Sequence, residues 1–188
     1  QRSNTGCIFF LPGTRSHFSL TGDGQQAVEA TLDADALNNL VGCTALLKKA
    51  TADVLITPHP GEMARLINES VSFVQNNREK VIVDFAEEFN VNILLKGANT
   101  LICNKGCTVM YVNTTGNTGL SKGGSGDLLS GIIAGLTANM NGDVFSAGVL
   151  GAFVHGMCAE VLKKEMSEYS ILPTDCANVL GKVFRIIE

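Results

Sequence analysis

Short apolar runs alternate with amphipathic segments along most of the chain. Apolar runs bounded by Gly, Pro, Asn or Asp are typical of buried β-strands, and apolar residues three or four positions apart are typical of helices. This pattern predicts strands at residues 7–11, 27–32, 52–57 and 91–96, and a hairpin formed by 101–103 and 107–112. It predicts helices around Leu37 and at 62–67, 71–90, 127–140, 144–164 and 174–187. The alternation predicts a three-layer α/β domain with a mostly parallel central sheet flanked by helices.

Length and composition narrow the possible classes of protein. The 188 residues are 45% hydrophobic, which favours a single domain, residues 1–188, with a substantial core. The net charge of −4 and the absence of a basic cluster argue against binding to nucleic acid. No run approaches the roughly 20 apolar residues of a membrane span, and the N-terminus lacks a signal-peptide pattern. We therefore expect a soluble, cytoplasmic protein that does not bind membranes.

Six cysteines raise the question of disulfides or a metal site. They are Cys7, Cys43, Cys103, Cys107, Cys158 and Cys176, and their spacing contains no Cys-x-x-Cys pair. Most lie in apolar segments, where free cysteine acts as a small hydrophobic residue. Cys103 and Cys107 flank an Asn-Lys-Gly turn, which favours cross-strand neighbours over metal ligands. No metal-ligating residues are predicted.

The most informative stretch is a polar loop that leads into a helix. Residues 113–127 contain five glycines, and apolar residues with helical spacing follow from Leu128 onward. A helix N-terminus exposes unpaired N–H groups and the positive end of the helix dipole, so it can bind an anion such as phosphate. Gly123, Gly124 and Gly126 would allow the backbone to approach that anion. The loop matches neither the Walker motif nor the dinucleotide fingerprint.

Asp127 stands where this loop meets the helix, and two roles are open to it. An aspartate at a helix start commonly acts as the N-cap and contributes roughly 1 kcal/mol. A carboxylate beside a phosphate site is also placed to take a proton from a hydroxyl that attacks the phosphorus. The loop contains more glycine than a cap requires, which favours the catalytic role.

Four motifs occur in the order and approximate spacing of one enzyme family. They are Asp-Ala-Asp-Ala-Leu-Asn at 33–38, Thr-Pro-His-Pro-Gly-Glu at 57–62, Leu-Lys-Gly-Ala-Asn-Thr at 95–100, and the segment 113–131 with its Gly-Gly-Ser-Gly-Asp run. Together they resemble the ADP- or ATP-dependent NAD(P)H-hydrate dehydratases, a branch of the ribokinase-like small-molecule kinases. The resemblance implies a ribokinase-like fold and repair of hydrated NADH or NADPH with a nucleotide and Mg²⁺. An assembly of identical subunits would also fit this family.

The resemblance assigns candidate site residues as well. Asp127 would be the catalytic base, and it would contact the substrate together with Asp35 and His59. The nucleotide would bind a set of residues at the end of one strand and at the start of the long helix, namely Lys96, Gly97, Ala98, Asn99, Thr100, Gly124, Ser125 and Gly126.

Several of these assignments have structural alternatives. Asp33 or Asp35 could cap the helix that follows them, and His59 could bond to backbone instead of substrate. Glu62 could cap its own helix or lie near the metal. Lys96 could merely cover apolar surface with its stem.

The two long helices carry further signals. Gly131 and Gly135 on the first helix, with Gly148 and Gly151 on the second, would permit close packing of the helices against each other or against the sheet. His155 lies on the second helix, where we interpret it as a satisfied core or interface histidine rather than a catalytic one.

The chain also departs from the family pattern. Thr114 and Thr118 stand where proline is usual, which should loosen the loop, and Lys122 replaces a threonine. Lys122 could help to bind phosphate, take over part of a bound cation's role, or point into solvent. The first strands and helices of the family pattern are not found, so we expect part of its N-terminal region to be absent from this sequence.

Two other functions fit the same motifs. A kinase that phosphorylates a vitamin precursor or a sugar would use the same loop and aspartate but would release the phosphate ester. A nucleotide-binding module without turnover would need only the nucleotide residues. The dehydratase is the favoured hypothesis because all four motifs resemble that branch.

Overall fold

The computed structural model describes residues 29–188. The strand predicted at 7–11 lies outside these residues, as do Cys7 and the first two positions of the strand predicted at 27–32. Within the described part of the chain, one five-stranded sheet is combined with seven α-helices and four short 3-10 helices.

The five strands form one mixed sheet and lie in chain order. They are β1 (Ala30–Leu32), β2 (Val54–Ile56), β3 (Asn92–Leu95), β4 (Thr100–Cys103) and β5 (Met110–Asn113). β1, β2 and β3 are parallel, whereas β4 runs antiparallel to β3, and β5 antiparallel to β4. The sheet is therefore less parallel than predicted, because the short connections after β3 cannot hold a crossover helix.

Helices occupy most of the rest of the described chain. The α-helices are α1 (Asp35–Asn39), α2 (Pro60–Leu66), α3 (Val71–Asn76), α4 (Arg78–Phe89), α5 (Ser125–Asn139), α6 (Val144–Leu162) and α7 (Pro173–Ile187). The 3-10 helices lie at Thr44–Lys49, Lys105–Cys107, Thr118–Leu120 and Glu168–Ser170.

Side chains of the strands alternate between two cores. Leu55, Leu94 and Ile102 pack with residues of α5 and α6. Their neighbours Ile56 and Leu95 pack with residues of α2 and α4 instead. Since successive residues of a strand point to opposite faces, the sheet lies between two helical layers. The predicted three-layer α/β architecture is confirmed.

α6 is the most apolar of the described helices. With 19 residues and a mean hydropathy of 1.5, it is the one described helix that by length and composition could cross a membrane. Of its apolar window, 61% is buried inside the protein. It packs against the sheet and α5 on one side and shares a further core with α7 on the other. This burial is typical of a core helix.

Glycines allow close packing on α6 but not on α5. A Cβ at Gly148 would lie 3.0 Å from a leucine of β2, and one at Gly151 would lie 2.6 Å from Ile133. Around Gly131 and Gly135 no atom of another part of the described chain lies within 4 Å of the same position, and both residues are exposed. The predicted close approach is therefore confirmed for α6 and wrong for α5.

The glycine-rich loop packs closely against α6 at a further glycine of that helix. The Thr115 hydroxyl donates to the Phe153 carbonyl at 3.1 Å, and the Asn113 amide donates to the Ala152 carbonyl at 3.2 Å. These bonds place the loop so close to α6 that a Cβ at Gly156 would lie 2.7 Å from the carbonyl carbon of Thr115.

Gly156→Ala is expected to lower the free energy of unfolding by about 2 kcal/mol, because the added methyl group displaces backbone rather than a flexible side chain. Gly135→Ala is the matched control, since the same methyl group meets open space there. It should raise the free energy of unfolding by about 0.5 to 1 kcal/mol through helix propensity. Urea unfolding measures both effects, and equal stability of the two variants would contradict the close contact.

Some element boundaries differ from the sequence prediction. The single helix predicted at 71–90 is two helices, because Asn77 has a non-helical backbone and its side chain donates to the Phe73 carbonyl at 2.9 Å. α2 begins at Pro60 rather than at Glu62, and α5 begins at Ser125 rather than at Asp127. Each boundary depends on a local bond that hydrophobic spacing does not reveal.

The predicted hairpin is present as β4 and β5, but its turn is longer than expected. Met110 of β5 is the cross-strand neighbour of Cys103. Cys107 lies in the turn, and its sulfur atom contacts that of Cys103. The two cysteines are therefore close together, though not as cross-strand neighbours.

Candidate functional site

Three motifs meet where the parallel strands end. Asp33 follows β1, His59 lies just beyond β2, and Lys96 follows β3. The carboxyl ends of neighbouring parallel strands lie side by side, and this edge borders the ligand crevice of open α/β folds. The first turns of α5 reach the same edge, where Ser130 Oγ donates to Asp33 Oδ2 at 2.9 Å.

Lys96 is held by two carboxylates. Its Nζ lies 2.6 Å from Asp33 Oδ1 and 3.7 Å from Glu62 Oε2, and all three side chains are mostly buried. A charge with so little water around it needs such partners. Nζ also lies 3.4 Å from the position of a Cβ at Gly126. Lys96 thus connects the strand ends with the start of α5 rather than covering apolar surface.

The two aspartates of the first motif lie in different environments. Asp33 bonds to Lys96 and Ser130, whereas Asp35 is exposed at the start of α1. The N-cap of this helix is Ala34, and no side chain caps it. The capping alternative is therefore wrong for both aspartates, and the substrate contact of Asp35 stays a prediction.

His59 is the N-cap of α2. Its Nδ1 accepts hydrogen bonds from Gly61 N at 3.0 Å and Glu62 N at 3.3 Å, and Glu62 Oε2 accepts from His59 N at 2.7 Å. This reciprocal arrangement is a capping box. Because Nδ1 is an acceptor, the proton of the neutral ring is on Nε2, in a half-exposed side chain. The capping alternatives for His59 and Glu62 are confirmed, and contact of His59 with substrate stays a prediction.

The first turn of α5 has the features of an anion site. Gly124 is its N-cap, with a φ of 89° in the left-handed region that favours glycine, and no side chain caps the helix. Among the described residues, the N–H groups of Gly126 and Asp127 have no hydrogen-bond partner. These two donors are available to an anion at the positive end of the helix dipole.

Asp127 is the third residue of α5 and not its N-cap. Its side chain is exposed, and no hydrogen bond joins its carboxylate to another described residue. The capping role is therefore wrong. The carboxylate is accessible to a ligand beside the anion site, and its role as a base stays a prediction.

A cavity of about 390 Å³ adjoins this turn. Its walls contain all but one of the residues predicted to bind nucleotide, namely Lys96, Gly97, Ala98, Asn99, Thr100, Ser125 and Gly126. Gly124 is not in the walls, and neither are Asp35, His59 and Asp127. Its volume lies within the range of about 300 to 1,000 Å³ that is usual for small-molecule sites. The structure thus brings the Lys96 segment and the anion site together around one cavity.

The chain matches known proteins over most of its length. A sequence profile of the NAD(P)H-hydrate dehydratases matches residues 24–182. The chain belongs to this family. The ADP-dependent (S)-NAD(P)H-hydrate dehydratase of Neisseria meningitidis is 42% identical over 135 residues, which are 71% of this chain and 45% of that protein.

Solved structures of similar proteins share the architecture. The ADP/ATP-dependent NAD(P)H-hydrate dehydratase of Bacillus subtilis, co-crystallised with ATP and Mg²⁺, gives a TM-score of 0.75 at 32% identity, over 86% of this chain and 56% of that one. A ribokinase-like superfamily protein of Enterococcus faecalis gives a TM-score of 0.64 at 27% identity, over 86% of this chain and 54% of that one. The ribokinase-like fold is therefore confirmed. The chain spans about half the length of these relatives.

The cavity of this dehydratase-family chain contains two polar groups that were not predicted to lie there. His155 is 6% exposed, and its Nε2 is buried without a hydrogen-bond partner in residues 29–188. The Asn117 side chain accepts from Gly119 N at 3.0 Å, but its Nδ2 is also buried without a partner in this part of the chain. Both residues line the cavity. The interpretation of His155 as a core or interface histidine is confirmed in that the ring is buried, but its Nε2 is not satisfied by any described residue.

Burial lowers the pKa of His155 to about 4, below the ordinary value of 6.5. The unfolded chain therefore binds more protons than the folded one between these two pH values. Above about pH 6.5 the ring is neutral in both states, and protonation does not affect the free energy of unfolding. As the pH falls from 6.5 towards 4, the free energy of unfolding should decrease by about 3 kcal/mol. Urea unfolding across this range should show a shallower pH dependence for His155→Gln than for wild type. Parallel curves would contradict the buried, neutral ring.

The Lys122 side chain forms hydrogen bonds within the protein. Its ammonium group donates to the carbonyls of Glu168, Tyr169 and Ile171 at 3.4, 2.7 and 2.5 Å. These bonds tie the glycine-rich loop to the segment that precedes α7. With its three donors engaged, the alternatives of a phosphate ligand and of a solvent-exposed side chain are both wrong.

The described residues offer little to a metal ion that binds without a nucleotide. In residues 29–188, no group of three or more His, Cys, Asp or Glu side chains is arranged to hold one. Asp33 and Glu62 are engaged with Lys96. Mg²⁺ commonly binds through one or two carboxylates and the phosphates of a substrate. The available groups fit a magnesium ion that is held mainly by nucleotide phosphates.

Proposed function

We propose that this chain removes water from hydrated NADH or NADPH in a reaction that consumes ADP or ATP. The observation that carries the proposal is the cavity that joins the Lys96 segment to the uncapped first turn of α5, with the exposed carboxylate of Asp127 beside it. Membership in the dehydratase family supports the type of reaction. The name of the Neisseria relative favours ADP, and the co-crystal of the Bacillus relative contains ATP.

The proposed chemistry has two steps. Hydroxide is a poor leaving group, so direct loss of water from the hydrated nicotinamide ring is slow. The ring hydroxyl first attacks the terminal phosphorus of the nucleotide, the bond from phosphorus to the bridging oxygen breaks, and AMP or ADP leaves. The ring nitrogen lone pair then expels inorganic phosphate. Loss of a proton from the neighbouring ring carbon restores the double bond.

The residues around the cavity would have different roles in this reaction. Asp127 would accept the hydroxyl proton in the first step. The N–H groups of Gly126 and Asp127 would bind the oxygens of the transferred phosphoryl group at the positive end of the α5 dipole. A magnesium ion on the phosphates would supply neutralisation of their negative charge.

Other parts of the site would position the two ligands. The segment from Lys96 to Thr100, in the cavity wall, would contact the AMP part of the nucleotide. His59 and Asp35 would contact the hydrated nicotinamide. His59 is suited to this because the capping box fixes its ring through Nδ1, while the side chain as a whole stays half-exposed.

An absorbance assay tests this proposal. The purified protein is incubated with hydrated NADH, Mg²⁺ and either ADP or ATP, and the NADH absorbance should return only when nucleotide is present. If nucleotide binds but no NADH returns, the dehydratase proposal fails. A panel of small alcohols, with detection of phosphate esters, then tests the kinase, and no product from any of them points to a binding module.

A further inference from the structure

Two residues of the cavity wall carry buried polar atoms that have no partner among the described residues. Among the described residues, four buried side-chain atoms lack a hydrogen-bond partner, on Glu29, Arg78, Asn117 and His155. Two of these four line the same cavity, on the loop that carries Asn117 and on α6. Buried polar groups are normally paired, so two orphans in one cavity indicate a ligand that pairs them.

The chemistry of these two groups defines what they can bind. The hydrogen bond from Gly119 N to Asn117 Oδ1 fixes the orientation of the amide, so the buried Nδ2 is a donor that needs an acceptor. The buried ring of His155 is neutral near pH 7 and offers one donor and one acceptor. Neither group carries charge, and each can pair with the neutral donors and acceptors of an uncharged part of a ligand.

The position of the anion site decides which part of a nucleotide they meet. The N–H groups for phosphate are at the first turn of α5, where Ser125 and Gly126 line the cavity. The nucleoside must then occupy the remaining space, between the Lys96 segment, the loop with Asn117, and α6. A nucleobase such as adenine presents ring nitrogens as acceptors and an amino group as donor.

We infer that Asn117 and His155 hydrogen-bond the base of the nucleotide and set the preference of the cavity for that base. The inference rests on the proposed use of a nucleotide and adds two specificity-determining residues to it. Asn117 donates to ring nitrogen N1, which is an acceptor in adenine and carries a proton in guanine. His155 binds a neighbouring edge of the base from the opposite element, α6.

Binding measurements with matched variants test this role. His155→Leu removes the ring nitrogens, whereas His155→Gln keeps a donor and an acceptor. By calorimetric titration, His155→Leu should bind ADP about tenfold more weakly than wild type, the usual loss for one neutral hydrogen bond. Pyrophosphate, which lacks a base, should bind both proteins with affinities that agree within about twofold, well under the value of one such bond. His155→Gln should recover most of the affinity for ADP.

Asn117→Ser tests the second residue in the same way. A serine hydroxyl still accepts from the N–H two residues on, so the turn at Gly119 is kept while the amide donor is lost. The affinity of the variant for ADP should again fall about tenfold, and its affinity for pyrophosphate should change little. Its discrimination between ADP and GDP should also fall.

The outcomes separate this inference from the proposed function. Unchanged affinity for ADP in His155→Leu and Asn117→Ser, or an equal loss for ADP and pyrophosphate, would overturn the inference. A wild-type protein that binds ADP but returns no NADH would overturn the proposed function alone.

Discussion

Asp127→Asn is expected to slow the return of NADH by about two to four powers of ten, the usual loss when a general base is removed. The amide keeps the size of the side chain but cannot accept the hydroxyl proton. Because Asp127 is exposed and does not cap α5, stability and affinity for ADP should stay close to those of wild type. Steady-state rates, urea unfolding and calorimetric titration measure the three quantities.

Asp143 provides the matched control, because it is an aspartate that does cap a helix. Its Oδ1 accepts from Ser146 N at 2.9 Å at the start of α6. Asp143→Ala should lower the free energy of unfolding by about 1 kcal/mol and leave the rate nearly unchanged. A loss of rate of tenfold or less in Asp127→Asn would leave Asp127 without a role as base.

Lys96→Met is expected to lower the free energy of unfolding by about 3 kcal/mol, because it leaves Asp33 and Glu62 charged and mostly buried without their partner. The side chains of these carboxylates are 12% and 7% exposed. The same change should weaken nucleotide binding, since Lys96 lines the cavity. Urea unfolding and titration with ADP measure the two effects.

Lys105→Met is the control for removal of an ion pair at the surface. Lys105 Nζ lies 3.1 Å from Asp53, and the two side chains are 50% and 34% exposed. Loss of this ion pair should lower the free energy of unfolding by less than about 1 kcal/mol. Adding Asp33→Asn to Lys96→Met should restore part of the lost stability by removing one unpaired charge. Equal losses for the two lysine variants would contradict the buried cluster.

The fold followed from the sequence where burial alone decides the structure. All four residues of β3 are buried and the last three are apolar, and a short apolar run bounded by polar residues predicts such a strand. The helix boundaries that were predicted wrongly depend on particular hydrogen bonds. One example is the bond from the Asn77 side chain to the Phe73 carbonyl, which accompanies the break between α3 and α4. The antiparallel turn after β3 likewise depends on the length of a connection rather than on hydrophobic spacing.

The cavity that we propose for the nucleotide was largely foreseeable, because ligands of open α/β sheets bind outside the carboxyl ends of the strands. The sequence did not show that Lys96 pairs with Asp33 rather than with Asp35. This pairing depends on where β1 ends and on the turn through Ala34 into α1. His155 and Asn117 were missed because an unpaired polar atom can be recognised only once its neighbours are known. For His155, the one signal in the sequence was a histidine on a mostly apolar helix.

Phosphorus NMR of a single reaction tests the dehydratase proposal most directly. With hydrated NADH, ADP and Mg²⁺, one AMP and one inorganic phosphate should appear for each NADH recovered, and no phosphate ester should accumulate. A phosphate ester that persists while no NADH is recovered would contradict the proposal and would identify a kinase instead.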